Sequence, residues 1–173
     1  FLLNQIKNAK SANDIPQAIQ WQCFMAVKAN YHSQLQEMIE CLENDTFHKR
    51  FLQSLMFKVA QGYMPSLVKG EKLLTYQGNS SMRQNQPSFD DIPLPFCDRV
   101  RILSFPEPKT FLTELSNGGK NMVKHLEIGS SCLPDFSQHP FPHLKSVSTS
   151  TITNDNLSAL LKGCKDSIEE IDI

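Results

Sequence analysis

The feature that most constrains the fold of this chain is a hydrophobic pattern that recurs in its second half. Each copy has the form apolar-x-x-apolar-x-apolar, and the copies begin at positions 100, 123, 144 and 168, so the pattern returns every 21 to 24 residues. A regular period in this range is the signature of stacked structural repeats. The copies cover residues 100–105, 123–128, 144–149 and 168–173, and only Thr149 places a polar residue at an apolar position.

The spacing within each copy predicts a short strand. Its last two apolar positions are two residues apart, so their side chains point to the same side of the strand and into the core. One repeat cannot bury its inward side alone, so the repeats are expected to stack as parallel strands around a continuous core. In the first copy this reasoning assigns Leu103 and Phe105 to the core and Ile102 and Ser104 to the outside.

The segments between the copies are expected to return the chain to the start of the next strand. Asn154 or Asp155 is the predicted N-cap of a short helix that ends at Gly163. A second return helix is expected within residues 109–119. The proline-rich segment 129–142 predicts an irregular loop.

The segment ITNDNLSALLKGC, followed by IEEIDI, resembles the cysteine-containing leucine-rich repeat, in which I-T-D-x-x-L-x-x-L-x-x-G-C precedes the next L-x-x-L-x-L. The chain departs from that pattern by one extra residue between Cys164 and Ile168, and it lacks a regular cysteine after each strand. The resemblance covers residues 98–173 and implies a leucine-rich-repeat solenoid. Such repeats are typical of F-box proteins, in which they hold substrates for a Skp1–cullin ubiquitin ligase. Residues 1–98 contain no clear F-box. The segment IPLPFCDRVRILSF resembles the L-P…R-I-L-x-F of an F-box, but it is better explained as the start of the first repeat.

The first 76 residues are expected to form an α-helical unit. Apolar residues at helical spacing predict a helix with Pro16 in its first turn, one that begins near His32 and one that begins after Thr46. A fourth, shorter helix is predicted over residues 66–76. Residues 77–97 are rich in Ser, Asn, Gln and Pro and predict a polar linker, or else a long surface loop. The predicted fold class is therefore α plus α/β: an N-terminal α-helical bundle or helical-repeat segment, followed by a leucine-rich-repeat solenoid with short parallel strands over residues 98–173.

The outward residues of the strands are the candidates for partner binding, because the strands of such a solenoid line an extended surface. The predicted partner-binding residues are Arg101, Ile102, Ser104, Lys124, His125, Glu127, Ser146, Ser148, Glu170 and Asp172. This set becomes acidic toward the last copy, which would suit a basic partner segment. The alternative is that these are ordinary solvated positions and that contact is made by later repeats or by the helical part. There, Trp21, Phe24 and Met25 are interpreted as core, with an exposed docking patch as the alternative.

Composition and charge argue against several other functions. The net charge is −1 and no basic stripe is present, so no nucleic-acid partner is expected. The apolar runs are too short for a membrane span. The five cysteines are widely spaced and form no C-x-x-C pair, which predicts reduced thiols in the cytoplasm or nucleus and neither disulfides nor zinc. His139 and His143 are interpreted as loop residues, and the chain contains no recognisable catalytic or cofactor-binding motif, so no metal, cofactor or enzymatic activity is expected.

The predicted function is a protein–protein interaction module, and specifically a substrate-recognition adaptor of a cullin-type ubiquitin ligase. Its expected partners are Skp1, elongin or cullin components and a substrate protein, with no nucleic acid and no membrane. The alternative is a non-catalytic scaffold or regulatory subunit of a larger stable assembly. Because the sequence begins within an expected helix at Phe1 and stops within an expected strand at Ile173, it is interpreted as a piece of a longer protein.

Overall fold

The chain forms a group of helices followed by a mixed six-stranded sheet. The computed structural model describes residues 1–31, 34–77, 92–104, 115, 122–129, 141–150, 152–164 and 166–173. The described helices are α1 (Leu2–Ile6), α2 (Gln17–Ala29), α3 (Leu35–Glu40), α4 (Phe47–Ala60) and α5 (Asn154–Cys164). The strands are β1 (Tyr63–Val68), β2 (Glu71–Gln77), β3 (Arg99–Ser104), β4 (His125–Ile128), β5 (Ser146–Thr149) and β6 (Glu170–Asp172).

The three longer segments predicted as helices in the first part of the chain are helical. Pro16 is the N-cap residue of α2, and the Gln20 amide fixes the chain before it by donating to the carbonyl oxygens of Ala12 and Ile15. Trp21 and Phe24 are buried and meet edge to face with ring centroids 5.8 Å apart, so they belong to the core rather than to a docking patch. In α4 the predicted apolar face is buried, as Phe51, Leu55 and Val59 lie four residues apart on one side.

The predicted fourth helix over residues 66–76 is wrong, because this stretch forms most of an antiparallel hairpin. Strand β1 pairs with β2 from Tyr63 opposite Tyr76 to Val68 opposite Glu71. The two turn residues, Lys69 and Gly70, both have positive φ angles, of 52° and 80°. That is the geometry of the tight turn whose twist matches two antiparallel strands.

The sheet order follows the chain order, β1-β2-β3-β4-β5-β6, and every pair after the first hairpin is parallel. Side chains of equivalent register form inward rows. The first row faces the core with Leu74, Val100, Leu126, Val147 and Ile171. A second inward row contains Tyr76, Ile102, Ile128 and Thr149, all of them buried. Two of the four predicted copies, 123–128 and 144–149, therefore have both predicted inward residues. In the fourth copy Ile171 packs against the core, but Ile173 is 70% exposed.

The first copy has a different register from the predicted one. Val100 and Ile102 pair with Leu126 and Ile128 and point into the core, and Ile102 is fully buried. Leu103 lies on the opposite side of β3 with 48% of its surface exposed, and Phe105 falls outside the described residues. The predicted pattern is thus displaced by three residues in this copy, and buried Cys97 occupies its first position.

One hydrophobic core joins the helices to the sheet. The cluster of buried residues runs without interruption from Ile6 in α1, through Phe24 and Tyr63, to Cys164 at the end of α5. Ile92 and Leu94, at the end of the segment predicted as a polar linker, are also buried in it. The sheet begins at Tyr63, so the predicted boundary at residue 76 falls inside the sheet; residues 78–91 lie outside the described ranges.

Helix α5 is the return segment that the structure describes in full. Its N-cap is Thr153, whose hydroxyl oxygen accepts the backbone N–H of Asn156 at 3.3 Å, so the predicted caps Asn154 and Asp155 are wrong by one or two residues. Leu160 and Cys164 anchor the helix in the core. Of the other predicted return helix only Leu115 is described, and it is helical and buried. None of the described helices combines the length and apolar character that a membrane span requires.

Candidate binding face of the sheet

Alternate residues of the strands point away from the core and form what we call the outer face. Two rows of side chains cross it from β2 to β6. The first row consists of Leu73, Arg99, His125, Ser146 and Glu170. The second row consists of Thr75, Arg101, Glu127, Ser148 and Asp172. The hairpin adds Met64, Ser66 and Val68 to the same side, because partners in an antiparallel pair share a face.

Two arginines of β3 are held by carboxylates on the strands beside them. Arg99 pairs with Glu71 of β2, and Arg101 pairs with Glu127 of β4 at an Nε–Oε2 distance of 2.8 Å. The hydrogen bond from Arg99 lowers the pKa of Glu71. All of these groups are partly exposed, so the pairs add little to stability. Their effect is to hold the two guanidinium groups in place on the outer face.

His125 is the titratable group nearest the middle of the outer face. Its Nδ1 atom lies 2.8 Å from the hydroxyl oxygen of Ser146 on the next strand, so one of the two donates a hydrogen bond to the other. Partial burial is the main cause that lowers the pKa of His125, and the positive charge of Arg99 adds to it. Lys124 and Lys145 act in the same direction, whereas Glu71 opposes them. The neutral imidazole is therefore the favoured form, able both to donate and to accept.

The residues that directly precede β3, β4, β5 and β6 also contact one another across the strands, along the edge of the face. The Asp98 carbonyl oxygen accepts the backbone N–H groups of Lys124 and His125, and the same arrangement recurs at Lys145 with Glu169 and Glu170. The side chains add ion pairs, with Lys145 Nζ 3.1 Å from a Glu169 oxygen and Lys124 Nζ 3.9 Å from Asp98. These contacts fix where each strand begins.

A depression of about 140 Å³ lies on the outer face and is lined by residues of β1 to β5. Val68 and Leu73 form its apolar end, and Arg99, His125 and Ser148 are among its polar walls. It can accept one side chain of a partner, because side-chain pockets of this size suit a single residue better than a cofactor.

The structure places most of the predicted partner-binding residues together. Arg101, His125, Glu127, Ser146, Ser148, Glu170 and Asp172 lie on the outer face, and Lys124 lies at its edge. Ile102 is a correction: it is fully buried in the second inward row and cannot contact a partner. Ser104 is the last residue of β3, and its side chain lies outside what the structure describes.

Sequence reasoning missed the contribution of the hairpin and of Arg99. Leu73 and Thr75 of β2, with Val68 of β1, extend the face by two strands that were expected to be helical. The two-residue turn at Lys69-Gly70 between apolar segments was the available signal for the hairpin. Arg99 would have followed from the register that pairs it with His125.

A second depression lies among the helices. It measures about 180 Å³ and is almost entirely apolar, with Leu3, Val27, Ile39 and Leu52 among its lining residues. Met38 lines this depression, with 62% of its surface exposed. This groove is an apolar, accessible feature of the described helical part.

The cysteines and histidines that the sequence singled out form no reactive site in the described residues. Cys23 and Cys97 are buried free thiols, and burial raises the pKa of Cys23 to about 11 and that of Cys97 to about 12. Both are therefore poor nucleophiles. Within the described ranges, no group of three or more His, Cys, Asp or Glu side chains is placed to hold a metal ion. His143 is exposed, whereas His139 and Cys132 fall outside those ranges.

Comparisons with protein-family models, with curated proteins and with solved structures found no match. The function of the chain is therefore inferred from the geometry of its outer face.

Proposed function

We propose that this chain is a non-catalytic protein–protein interaction module of the cytoplasm or nucleus that binds its partner through the outer face. The observation that carries this proposal is the pair of outward rows on five consecutive strands, polar at every position except Leu73. Cross-strand contacts such as Arg101–Glu127 hold the rows in register. A rigid, half-exposed array of this kind loses little conformational freedom when it binds, which favours recognition. The carboxylates interspersed in it disfavour nucleic acid.

The finer architecture that we propose is a leucine-rich-repeat solenoid. Strands β3 to β6 follow one another in the sheet in chain order and are parallel, which supports one strand per repeat. The inward rows that run through Val100, Leu126 and Val147 support the stacking of equivalent positions. The antiparallel hairpin fits the role of an N-terminal cap, because terminal repeats of solenoids are atypical.

Within this class we favour a substrate-recognition adaptor of a cullin-type ubiquitin ligase. Its support is the resemblance of residues 152–173 to the cysteine-containing repeat. In this version the helices contact Skp1, elongin or a cullin, and the outer face holds the substrate protein.

A scaffold or regulatory subunit of a stable assembly is the second candidate. The apolar groove among the helices favours it, because permanent interfaces are more apolar than transient ones. Exposed Leu3 and Met38 beside that groove would then be covered by another subunit. This version predicts that the chain aggregates when it is produced alone.

Binding through the outer face is tested by exchanging the two charges of the Arg101–Glu127 ion pair, so that the pair itself is kept. The double variant Arg101→Glu with Glu127→Arg keeps opposite charges opposite each other but reverses what a partner meets. The matched control, Lys28→Glu with Glu37→Lys, reverses two exposed charges on the helices. Affinity capture with quantitative mass spectrometry should lose bound proteins with the first variant and retain them with the control. Equal capture by both variants would exclude the outer face as the interface.

The ligase version has a separate test. Purified Skp1, elongin and cullin are passed over the immobilised chain, and binding is measured by surface plasmon resonance. Binding of one of them supports the adaptor. If none binds and the chain aggregates alone, the scaffold is the better description.

A further inference from the structure

The outer face has different chemistry at its two ends. At the hairpin end, Val68 and Met64 are 40% and 44% exposed, and Leu73, which is 7% exposed, lines the depression together with Val68. In the first row Leu73 is the only apolar residue, since the other strands supply Arg99, His125, Ser146 and Glu170 at that position. This end therefore offers an apolar seat for one side chain.

At the β6 end the face is acidic. Glu170 and Asp172 are exposed, and within the described part of the chain neither has a cationic partner. Elsewhere on the face each carboxylate is compensated, Glu71 by Arg99 and Glu127 by Arg101. The neighbouring strand β5 supplies only Ser146 and Ser148, which cannot neutralise the acidic pair. A partner that brings positive charge to this end removes that imbalance.

The long axis of the face crosses the strands. Each of β4 and β5 contributes only two outward residues, whereas five strands lie side by side from Leu73 to Glu170. The two ends are about 19 Å apart, since neighbouring strands are separated by about 4.8 Å. An extended chain covers that distance with about six residues at a rise of about 3.3 Å each.

We propose that the partner supplies an extended segment that crosses the strands, with an apolar side chain seated on Val68 and Leu73 and a Lys or Arg about six residues away over Glu170 and Asp172. This inference rests on the proposed binding through the outer face. Between the two anchors, His125, Ser146 and Ser148 provide hydrogen-bonding groups for the backbone of the segment. The segment can run in either chain direction, because both anchors are side chains.

The probe is a displayed library of random peptides of about 12 residues, long enough to cover the face when extended. Peptides are selected in parallel on three proteins. These are the unaltered chain, the double variant Glu170→Lys, Asp172→Lys, and the control double variant Glu37→Lys, Asp166→Lys. Both pairs reverse exposed acids, but only the first pair lies on the outer face. Thermal unfolding of all three proteins verifies that each is folded.

On the unaltered chain and on the control, enriched peptides should contain an apolar residue and a Lys or Arg about six positions apart. On the Glu170→Lys, Asp172→Lys variant the basic residue should be replaced by Asp or Glu. Peptides selected on the unaltered chain should bind that variant at least about tenfold more weakly, because like charges then meet. Val68→Asp should remove the apolar preference and leave the basic one.

Enrichment of basic residues that persists on the Glu170→Lys, Asp172→Lys variant would overturn the inference, and so would enrichment of acidic peptides on the unaltered chain. A library without any enriched peptide would overturn it as well, since the face would then hold no extended segment. The Arg101–Glu127 exchange and affinity capture of folded proteins test the proposed function separately, so the two failures are distinguishable.

Discussion

His125 and Ser146 join neighbouring parallel strands on the outer face, with 2.8 Å between the imidazole Nδ1 atom and the hydroxyl oxygen. The pair connects two positions that are equivalent in successive strands, because His125 and Ser146 are register partners. The protonation of His125 therefore affects a contact that holds β4 and β5 together on the outer face.

The pKa of His125 predicts a loss of stability in mild acid. Burial lowers that pKa below the ordinary value of 6.5, so the unfolded chain takes up the proton first as the pH falls. Well above 6.5 the imidazole is neutral in both states and contributes no difference. Urea unfolding between about pH 8 and about pH 5 should show a smaller loss of stability for His125→Gln than for the unaltered chain.

The register of β3 predicts opposite results for two adjacent residues. Ile102→Ala should lower the free energy of unfolding by about 2–5 kcal/mol, because it empties a fully buried site. Leu103→Ala should change it by only about 0.5 kcal/mol, since this side chain is largely outside the core. Chemical denaturation of the two variants measures the difference. The reverse order would restore the originally predicted register.

Gly70 should tolerate some side chains better than others. A Cβ there meets no atom within 4 Å, so crowding is not the problem, but the φ angle of +80° disfavours L-residues. Gly70→Ala should cost about 1–2 kcal/mol of stability in thermal or urea unfolding. Gly70→Asn should cost less, because Asn enters the left-handed region more readily. Equal stability of the two variants would argue against the described turn.

Thr153 should account for the capping of α5. Thr153→Ala should lower stability by about 1 kcal/mol, because the backbone N–H of Asn156 loses its side-chain acceptor. Thr153→Ser keeps a hydroxyl and should be nearly neutral. Asn154→Ala is the control for the cap that the sequence had favoured. A larger effect at Asn154 than at Thr153, measured by urea unfolding, would contradict the described cap.

Strands β4 and β5 could be predicted because the apolar residues of each fit only one alternating pattern. In β4 and β5 the inward residues alternate with polar ones, as Leu126 and Ile128 do with His125 and Glu127. The strands are short and their inward rows are continuous, so local periodicity and tertiary burial agree. Most of the candidate face followed from that agreement.

Strand β3 could not be predicted in the same way, because the sequence from Val100 to Phe105 contains two overlapping apolar alternations. Val100 with Ile102 and Leu103 with Phe105 fit the pattern equally well. The choice is made by pairing with Leu74 and its neighbours in β2, a segment whose apolar residues also fit a helix. The wrong helix over residues 66–76 and the wrong register of β3 therefore have one cause. Both elements are determined by the pairing of β2 with β3, which the local sequence does not reveal.

Strand β1 forms one border of the sheet, and its composition affects how two such molecules can pair edge to edge. Helices α2 and α4 pack on β1, and Pro65 within it has no N–H to offer a further strand. The β1 border therefore lacks one hydrogen-bond donor, which disfavours edge-to-edge pairing of sheets there. A further strand could therefore be added more easily beside β6 than beside β1, so the two borders of the sheet differ in their capacity for assembly.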